Sequence, residues 1–446
     1  MDTADIAQAE RAGHPARSVA FVTLGCAKNE VDTAAMERRA LAAGYRLEDD
    51  PALADAIVVN TCSFIQSATE ESIEAVLDAA GLPSVAEGRA RLIVAGCMPA
   101  RYGDELAAEL PEAAAFVPCS REDDIAAVLD GALGVERAGA APEPGAGEAR
   151  PAGAFGYVKI SDGCDRWCSY CAIPLIRGRY RSFSYEQVRA DVARLVEAGA
   201  GEVDLIAQDT GRWGADFDEP LDLAWLVDAL AREFPDTWLR VLYLQPEGVT
   251  DELLAVMARH PNVCPYLDIP LQHVSERVLR AMNRRGSRAA FEALVGRVRA
   301  ALPDVTLRTT LIAGFPGETD EEFDELLSFV EEGLFDYVGV FAYSREEGTA
   351  AFDLPGQVDD DERAERAQRL RDAADAASSP LIAARVGREA FVLVEGAEED
   401  GQLYGRAQCQ APEVDGVTYL DAGEPGRIVR ARITDTLLYE MEGEVL

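Results

Sequence analysis

Three continuous apolar runs open the chain: SVAFVTLGC at 18–26, AIVVNTC at 56–62 and RLIVAGC at 91–97. Each leads into a helical pattern, as in VDTAAMERRALAAGY at 31–45. Continuous apolar runs are the pattern of strands buried on both faces, and their alternation with amphipathic helices predicts a parallel α/β sheet. Each run closes on a cysteine: Cys26, Cys62 and Cys97. Ligands bind such sheets outside the carboxyl ends of the strands, so the topology predicts these three thiols along one edge.

A second α/β series follows, with strands expected at 156–161, 203–210, 238–244, 266–272, 306–315 and 337–344 and helical stretches such as 184–199 and 320–333 between them. Six alternating strands suggest a barrel or partial (β/α) barrel. From about 381 the pattern changes to short β-type runs separated by glycines and acidic turns, the texture of a small five-stranded all-β barrel. Residues 136–154 are Ala, Pro and Gly with few large apolar side chains, which reads as a linker. The expected layout is a disordered tail at 1–17, an N-terminal α/β domain at 18–135, the linker, a central barrel at 155–380 and a β-barrel at 381–446.

Composition narrows the function. The 446 residues carry 80 acidic and 42 basic side chains, a net charge of −38, and of the basic ones only Lys28 and Lys159 are lysine. Such a balance argues against a chain held on nucleic acid or an anionic membrane by charge alone. Residues 1–20 lack an apolar targeting core and no run is long enough to span a membrane, so a cytoplasmic chain is expected. Thiols stay reduced there, which makes nine cysteines ligands, catalysts or small core residues rather than disulfides. With only three histidines, the chemistry falls to cysteine.

The strongest local signal is Cys164-Asp-Arg-Trp-Cys168-Ser-Tyr-Cys171. Three thiols on one tight loop suit an iron–sulfur cluster, and no fourth Cys or His lies nearby to complete a structural zinc site. Three ligands leave one iron open. This run resembles the radical S-adenosylmethionine (SAM) enzymes, a likeness that implies a 4Fe–4S cluster on Cys164, Cys168 and Cys171, SAM chelated at the open iron, and Tyr170 near the adenine. TLGCAKNEVD (23–32), NTCSF (60–64) and AGCMPARY (95–102) are similar to the three cysteine motifs of the methylthiotransferases. That similarity implies an auxiliary 4Fe–4S cluster on Cys26, Cys62 and Cys97, with no catalytic residue beyond the cluster ligands.

Longer segments, among them 158–182, 266–287, 311–330, 338–358 and QAPEVDGVTYL at 410–420, resemble the RimO branch, and the C-terminal module resembles a TRAM domain. RimO enzymes place a methylthio group on the β-carbon of an aspartate in a small-subunit ribosomal protein. The resemblance therefore implies that protein as substrate, SAM as methyl donor and radical source, and an electron donor such as flavodoxin or ferredoxin. A monomer is expected. The alternatives are a tRNA adenosine methylthiotransferase of the MiaB type and a non-catalytic iron–sulfur carrier. Residues 381–446 hold 13 acids against six arginines and no lysine, which disfavours an RNA-gripping groove and leaves RNA contact weak or indirect.

Lys28 and Lys159, close in sequence to Cys26 and Cys164, are candidates to hold sulfide or the SAM carboxylate beside a cluster. Cys119, Cys264 and Cys409 lack partners at ligand spacing and read as small buried residues. His273 reads as a hydrogen-bonded pocket or core histidine. The acidic excess reads by default as the solvated surface of a very soluble protein; the sharper alternative is a salty cytoplasm, because at about 1 M ionic strength the Debye length falls to roughly 3 Å and self-repulsion is screened. The melting temperature of the cluster-loaded protein is accordingly expected to rise as KCl approaches molar; a flat or falling curve contradicts salt adaptation.

Overall fold

A computed structural model describes residues 17–136 and 153–446. The expected tail (1–17) and linker (136–154) fall almost wholly outside the described residues. The chain divides into two compact units, Met1–Arg150 with Leu175–Arg177, and Pro151–Pro174 with Gly178–Leu446.

The first unit is a five-stranded parallel sheet in the order β2-β1-β3-β4-β5. Its strands are β1 (Ser18–Thr23), β2 (Arg46–Leu47), β3 (Ala56–Thr61), β4 (Arg91–Gly96) and β5 (Ala113–Pro118). Helices α1 (Ala27–Ala42), α2 (Gln66–Gly81), α3 (Cys97–Tyr102) and α4 (Ile125–Leu133) cover it. Because successive strand side chains point to opposite faces, both faces need apolar cover. Val58, Ile93 and Val117 pack with Met36 and Ala40 of α1 and Leu129 of α4, while Ile57, Val59 and Val94 pack with Val76 of α2 and Met98 of α3. The continuous apolar runs are thus the strands buried on both sides. This strand order reverses between β1 and β3, the point at which doubly wound sheets open a crevice.

The second unit begins with six parallel strands in chain order, in two sets of three: β6 (Phe155–Lys159), β9 (Glu202–Ile206) and β10 (Trp238–Val241), then β11 (Tyr266–Asp268), β12 (Thr306–Ala313) and β13 (Tyr337–Ala342). A parallel bridge from Leu239 to Val263 joins the sets. A short antiparallel pair, β7 (Ser161–Asp162) and β8 (Arg181–Ser182), flanks the first. Six capped helices lie between these strands: α5 (Tyr185–Glu197), α6 (Leu223–Glu233), α7 (Asp251–Arg259), α8 (Glu276–Ala281), α9 (Arg288–Ala301) and α10 (Asp320–Glu331). Each is preceded by a Ser, Asp or Thr whose side chain accepts a first-turn backbone N–H: Ser184, Asp222, Thr250, Ser275, Ser287 and Thr319. Those caps satisfy donors that a helix start otherwise orphans, and so fix where each helix begins.

Helix α11 (Asp360–Ala383) runs past the expected boundary at 381 and leads to the β-barrel. This is closed, β14-β15-β16-β18-β17, from β14 (Glu389–Ala397), β15 (Leu403–Ala407), β16 (Thr418–Leu420), β17 (Ile428–Leu437) and β18 (Glu440–Val445).

The small barrel is keyed to strands β9 to β12 by buried ions. Arg240, fully buried, donates to Glu202 at 2.7 Å and to the Gln408 carbonyl at 2.8 Å. Arg406 of β15 reaches Glu202 at 2.7 Å and Glu395 at 2.6 Å. Burial opposes ionisation of Glu202, but Arg240 and Arg406 hold its carboxyl below the usual range. Burial and the Glu202 charge push neighbouring Asp204 the other way. Arg308 likewise joins Asp268 at 3.2 Å to Asp415 at 3.4 Å. Breaking a buried ion pair on one side strands the other charge, which costs about 3–5 kcal/mol. Arg406→Met is expected to destabilise the second unit by about that much, and Glu202→Gln added to it to recover part of the loss. All four tryptophans lie in this unit, so fluorescence-monitored urea unfolding reads it.

Candidate metal centres

In the first unit the strand ends deliver their cysteines as the pattern predicts. Cys26 follows β1 and precedes α1, Cys62 follows β3 directly, and Cys97 follows β4 and opens α3. Gly25 stands at φ +99°, where a Cβ would lie 2.6 Å from the Cys62 Cβ, so only glycine lets the Cys26 loop come this close to Cys62. Buried Asn29 ties the loops together: its amide donates to the Leu24 and Thr61 carbonyls at 2.8 and 3.0 Å, and its Oδ1 lies 3.7 Å from the Cys97 Sγ. Arg177, in the short segment that groups with this unit, donates to Asp32 at 2.8 Å and to Asn29 Oδ1 at 2.9 Å. Its side chain is 2% exposed, and its second nitrogen lies 3.7 Å from the Cys97 sulfur.

Cys119, expected to be a small buried residue without partners, is different. It follows β5 at the same sheet edge, with its Sγ 3.9 Å from that of Cys97. The contact arises from strand adjacency, which sequence spacing does not show. Hydrogen bonding from Cys119, with help from Arg177 against burial, brings the Cys97 thiol down to about 6, while the Cys119 thiol rises. Burial, with the Cys97 and Cys26 charges, pushes Cys62 up to about 11.

In the second unit Cys164, Cys168 and Cys171 lie on one loop after β7. Gly163 at φ +73° starts it, and a Cβ there would fall 2.2 Å from the Arg179 carbonyl oxygen. Trp167, 59% exposed, holds a left-handed φ of +51°, a strained conformation for a bulky side chain. The Cys171 N–H donates to the Cys168 carbonyl at 3.0 Å and closes the turn. Burial pushes Cys171 up to about 12, with further rises from Cys168 and Cys164, and burial with the Asp209 and Cys168 charges raises Cys164. Arg166 is held by Asp209 at 2.6 Å and Glu247 at 3.2 Å. A cavity of about 290 Å³ opens beside Cys168, lined also by Arg166, Gln245, Glu247, Asn283, Arg284 and Arg285. A larger one, about 680 Å³, is lined by Trp238, Asn262, Phe391 and others and includes none of the six motif cysteines.

Tyr170 is part-buried against the barrel core, and burial keeps its phenol protonated beside Arg284 and Cys168. Lys159 pairs with Asp162 at 3.1 Å, and Lys28 sits in the first turn of α1. His273 is fully buried, accepting the Ser275 N–H at 2.9 Å with its other ring nitrogen 3.4 Å from Glu318. Cys264 is buried, as expected, and Cys409 part-buried.

Among the described residues no three His, Cys, Asp or Glu side chains are already gathered at ion-holding distance, so cluster binding requires the thiols to close in. Their chemistry fits the group. Within each set a thiolate is disfavoured by burial and by its neighbours, a penalty that bound iron removes by taking the thiolates as ligands.

Residues 18–118 match an uncharacterized protein family, UPF0004, residues 158–330 the radical SAM superfamily, and residues 386–446 the TRAM domain. Three curated relatives, each named ribosomal protein uS12 methylthiotransferase RimO, are similar over nearly their full lengths. That of Geobacter sulfurreducens is 42% identical, covering 96% of this chain and 98% of the relative. Those of Trichlorobacter lovleyi and Syntrophotalea carbinolica are 41% and 43% identical, each covering 96% of this chain and respectively 98% and 97% of the relative. The chain belongs to the RimO family. Among solved structures, the radical SAM methyltransferase TsrM from Kitasatospora setae, with cobalamin and a [4Fe-4S] cluster bound, has a TM-score of 0.56 at 14% identity, covering 76% of this chain and 74% of that one. That likeness shows the fold, a radical SAM barrel.

Besides Cys119, the sequence reading missed Arg177, Asn29 and Arg284. Single arginines in an arginine-rich chain carry no local signal; Asn29, inside the AKNE segment, stood within a quoted motif without being assigned a role. Gly163→Ala is expected to disturb the loop and lower iron bound in this RimO-family chain towards half, with the N-terminal set still loaded. Iron and sulfide analysis after anaerobic reconstitution measures it; unchanged iron contradicts the positional argument.

Proposed function

We infer that this chain is a radical SAM methylthiotransferase that modifies ribosomal protein uS12, placing a methylthio group on the β-carbon of an aspartate. Cys26, Cys62 and Cys97 hold one 4Fe–4S cluster, and Cys164, Cys168 and Cys171 hold the other. The observation that carries this reading is that two motif sets of three thiols, each one short of a closed cluster, occur in a chain of the RimO family. Bound there, the clusters and SAM supply a deoxyadenosyl radical and the methylthio group.

The remaining tasks belong to the protein. The loop from Cys164 to Cys171 presents three thiols with Tyr170 packed between loop and core, where the ring can border the adenine. Arg166, fixed between two carboxylates, and Gln245 line the cavity beside Cys168 and offer polar groups to the amino-acid portion of SAM. Lys159, paired with Asp162, steadies the strand entering the loop, and Lys28 contributes a positive charge near Cys26. The Cys97–Cys119–Arg177 contacts favour a thiolate on Cys97 at neutral pH. Electrons come from a flavodoxin or ferredoxin, and the chain works as a monomer in the cytoplasm. No helix among the described residues is long and apolar enough to cross a membrane.

The tRNA alternative has no support among these relatives, all named for uS12. Anaerobically reconstituted protein, supplied with SAM, sulfide and reductant, is expected to add a methylthio mass to uS12 and none to tRNA, read by peptide and nucleoside mass spectrometry. Replacing Cys164, Cys168 and Cys171 by alanine should halve the iron and abolish SAM cleavage. Replacing Cys26, Cys62 and Cys97 should also halve the iron but leave SAM cleavage and remove the methylthio product. A methylthio mass on tRNA alone, or no SAM cleavage by the parent chain, overturns the reading.

A further inference from the structure

The segment that follows α8 embraces the loop of the second cysteine set. The last carbonyls of a helix lack intrahelical partners. Here Ser169, between Cys168 and Tyr170, supplies them: its hydroxyl donates to the Ala281 carbonyl at 2.8 Å and its N–H to the Met282 carbonyl at 3.0 Å. Asn283, at a left-handed φ of +57°, ends the helix and turns its amide back onto the loop. That amide donates to the carbonyls of Arg166 and Trp167 at 3.1 and 3.0 Å, holding the strained turn at Trp167. Arg284 then donates one nitrogen to the Pro270 carbonyl at 2.6 Å and places the other 4.0 Å from the Cys168 sulfur.

The charge on Arg284 is the unusual element. Arg166, close by, is neutralised by Asp209 and Glu247. Among the described residues Arg284 makes no ion pair with a carboxylate; its anchor is a neutral carbonyl. Its positive charge is therefore available to the thiolate of Cys168. A cluster held by three thiolates gains a further negative charge on one-electron reduction, and a fixed cation in a part-buried site favours that reduced state.

We propose that Arg284 is a positioning residue for the second cluster, whose unneutralised guanidinium beside Cys168 raises that cluster's reduction potential. The proposal rests on the cluster assignment above. The step it governs is one electron passing from an external donor to the oxidised cluster, with no proton moved and no bond made or broken. Hydrogen-bonding partners and burial are among the means by which a protein sets such potentials.

The test uses the full chain with Cys26, Cys62 and Cys97 replaced by alanine, so that one cluster is observed. The parent, Arg284→Met, Arg284→Gln and Arg284→Lys are reconstituted, counted for iron and titrated with dithionite and mediators, the reduced cluster being read by electron paramagnetic resonance. At a fixed potential near the midpoint, the Met and Gln variants are expected to show about a tenfold lower ratio of reduced to oxidised cluster, about 59 mV for one electron. The lysine variant, which keeps the charge, should return most of the shift. Equal midpoints in parent, Met and Gln variants overturn the proposal. So does a lysine variant shifted as far as the methionine one, which would assign the effect to shape rather than charge. A parent chain that binds no cluster fails the cluster assignment itself, a distinct result that removes the proposal with it.

Discussion

The constraint on which the rest of this molecule depends is the repulsion among thiolates brought together out of water. A thiol in an apolar site resists ionisation, and each neighbouring thiolate raises the penalty. Burial first, and neighbouring thiolates after it, push Cys62 up to about 11 and Cys171 up to about 12. A cluster needs all its ligands ionised, so the fold must gather thiols that disfavour the state in which they work. Parallel strands bring the thiols of the first unit to one sheet edge: β1, β3, β4 and β5 each end at or near a cysteine, and the glycine before Cys26 allows close approach. In the second unit a single loop carries all three, with Trp167 left-handed between them. Arg177 and Arg284 then place positive charge against Cys97 and Cys168.

The same reasoning explains the buried charges of the second unit. Strands β9, β10, β11 and β12 carry Glu202, Arg240, Asp268 and Arg308, all buried or nearly so, an arrangement that is expensive unless every charge finds a partner. The C-terminal barrel supplies those partners in Arg406, Asp415 and the Gln408 carbonyl. Four of the six arginines in 381–446 also face carboxylates of this chain. Arg385 and Arg406 are engaged by Asp336 and by Glu202 with Glu395, while Arg430 and Arg432 pair with Glu389. An OB-sized barrel that grips RNA needs free cations along a groove. Here most of the module's arginines serve carboxylates of this chain, consistent with a family whose named substrate is a protein.

Legibility in the sequence followed the range of the interactions. Strands and helices were readable because burial on both faces and helix caps are local patterns, and the six parallel strands of the second unit each begin within one residue of the expected position. The six motif cysteines were readable because their segments are contiguous and resemble known motifs. Cys119 was not, because its relation to Cys97 comes from β5 lying beside β4, a pairing that spacing along the chain does not encode. Arg177 and Arg284 were hidden among many arginines whose ordinary reading is a surface ion pair. The small barrel was expected from 381, yet α11 continues to Ala383, since the alanine-rich stretch before the β-type runs favours helix.

The net charge of −38 can now be divided by location. Exposed carboxylates contribute little to the fold, since surface pairs are worth about 0–1 kcal/mol and salt screens them. The buried charges obey a different rule, because screening reaches them poorly and each must be matched where it stands. Guanidinium suits that task better than ammonium: it is always protonated and its planar fork can hold a carboxylate, a carbonyl and a sulfur at once. Arg177 spans Asp32, Asn29 and Cys97 in this way, and Arg284 spans Pro270 and Cys168. In a chain with only two lysines, arginine is the cation that stands beside both cysteine sets.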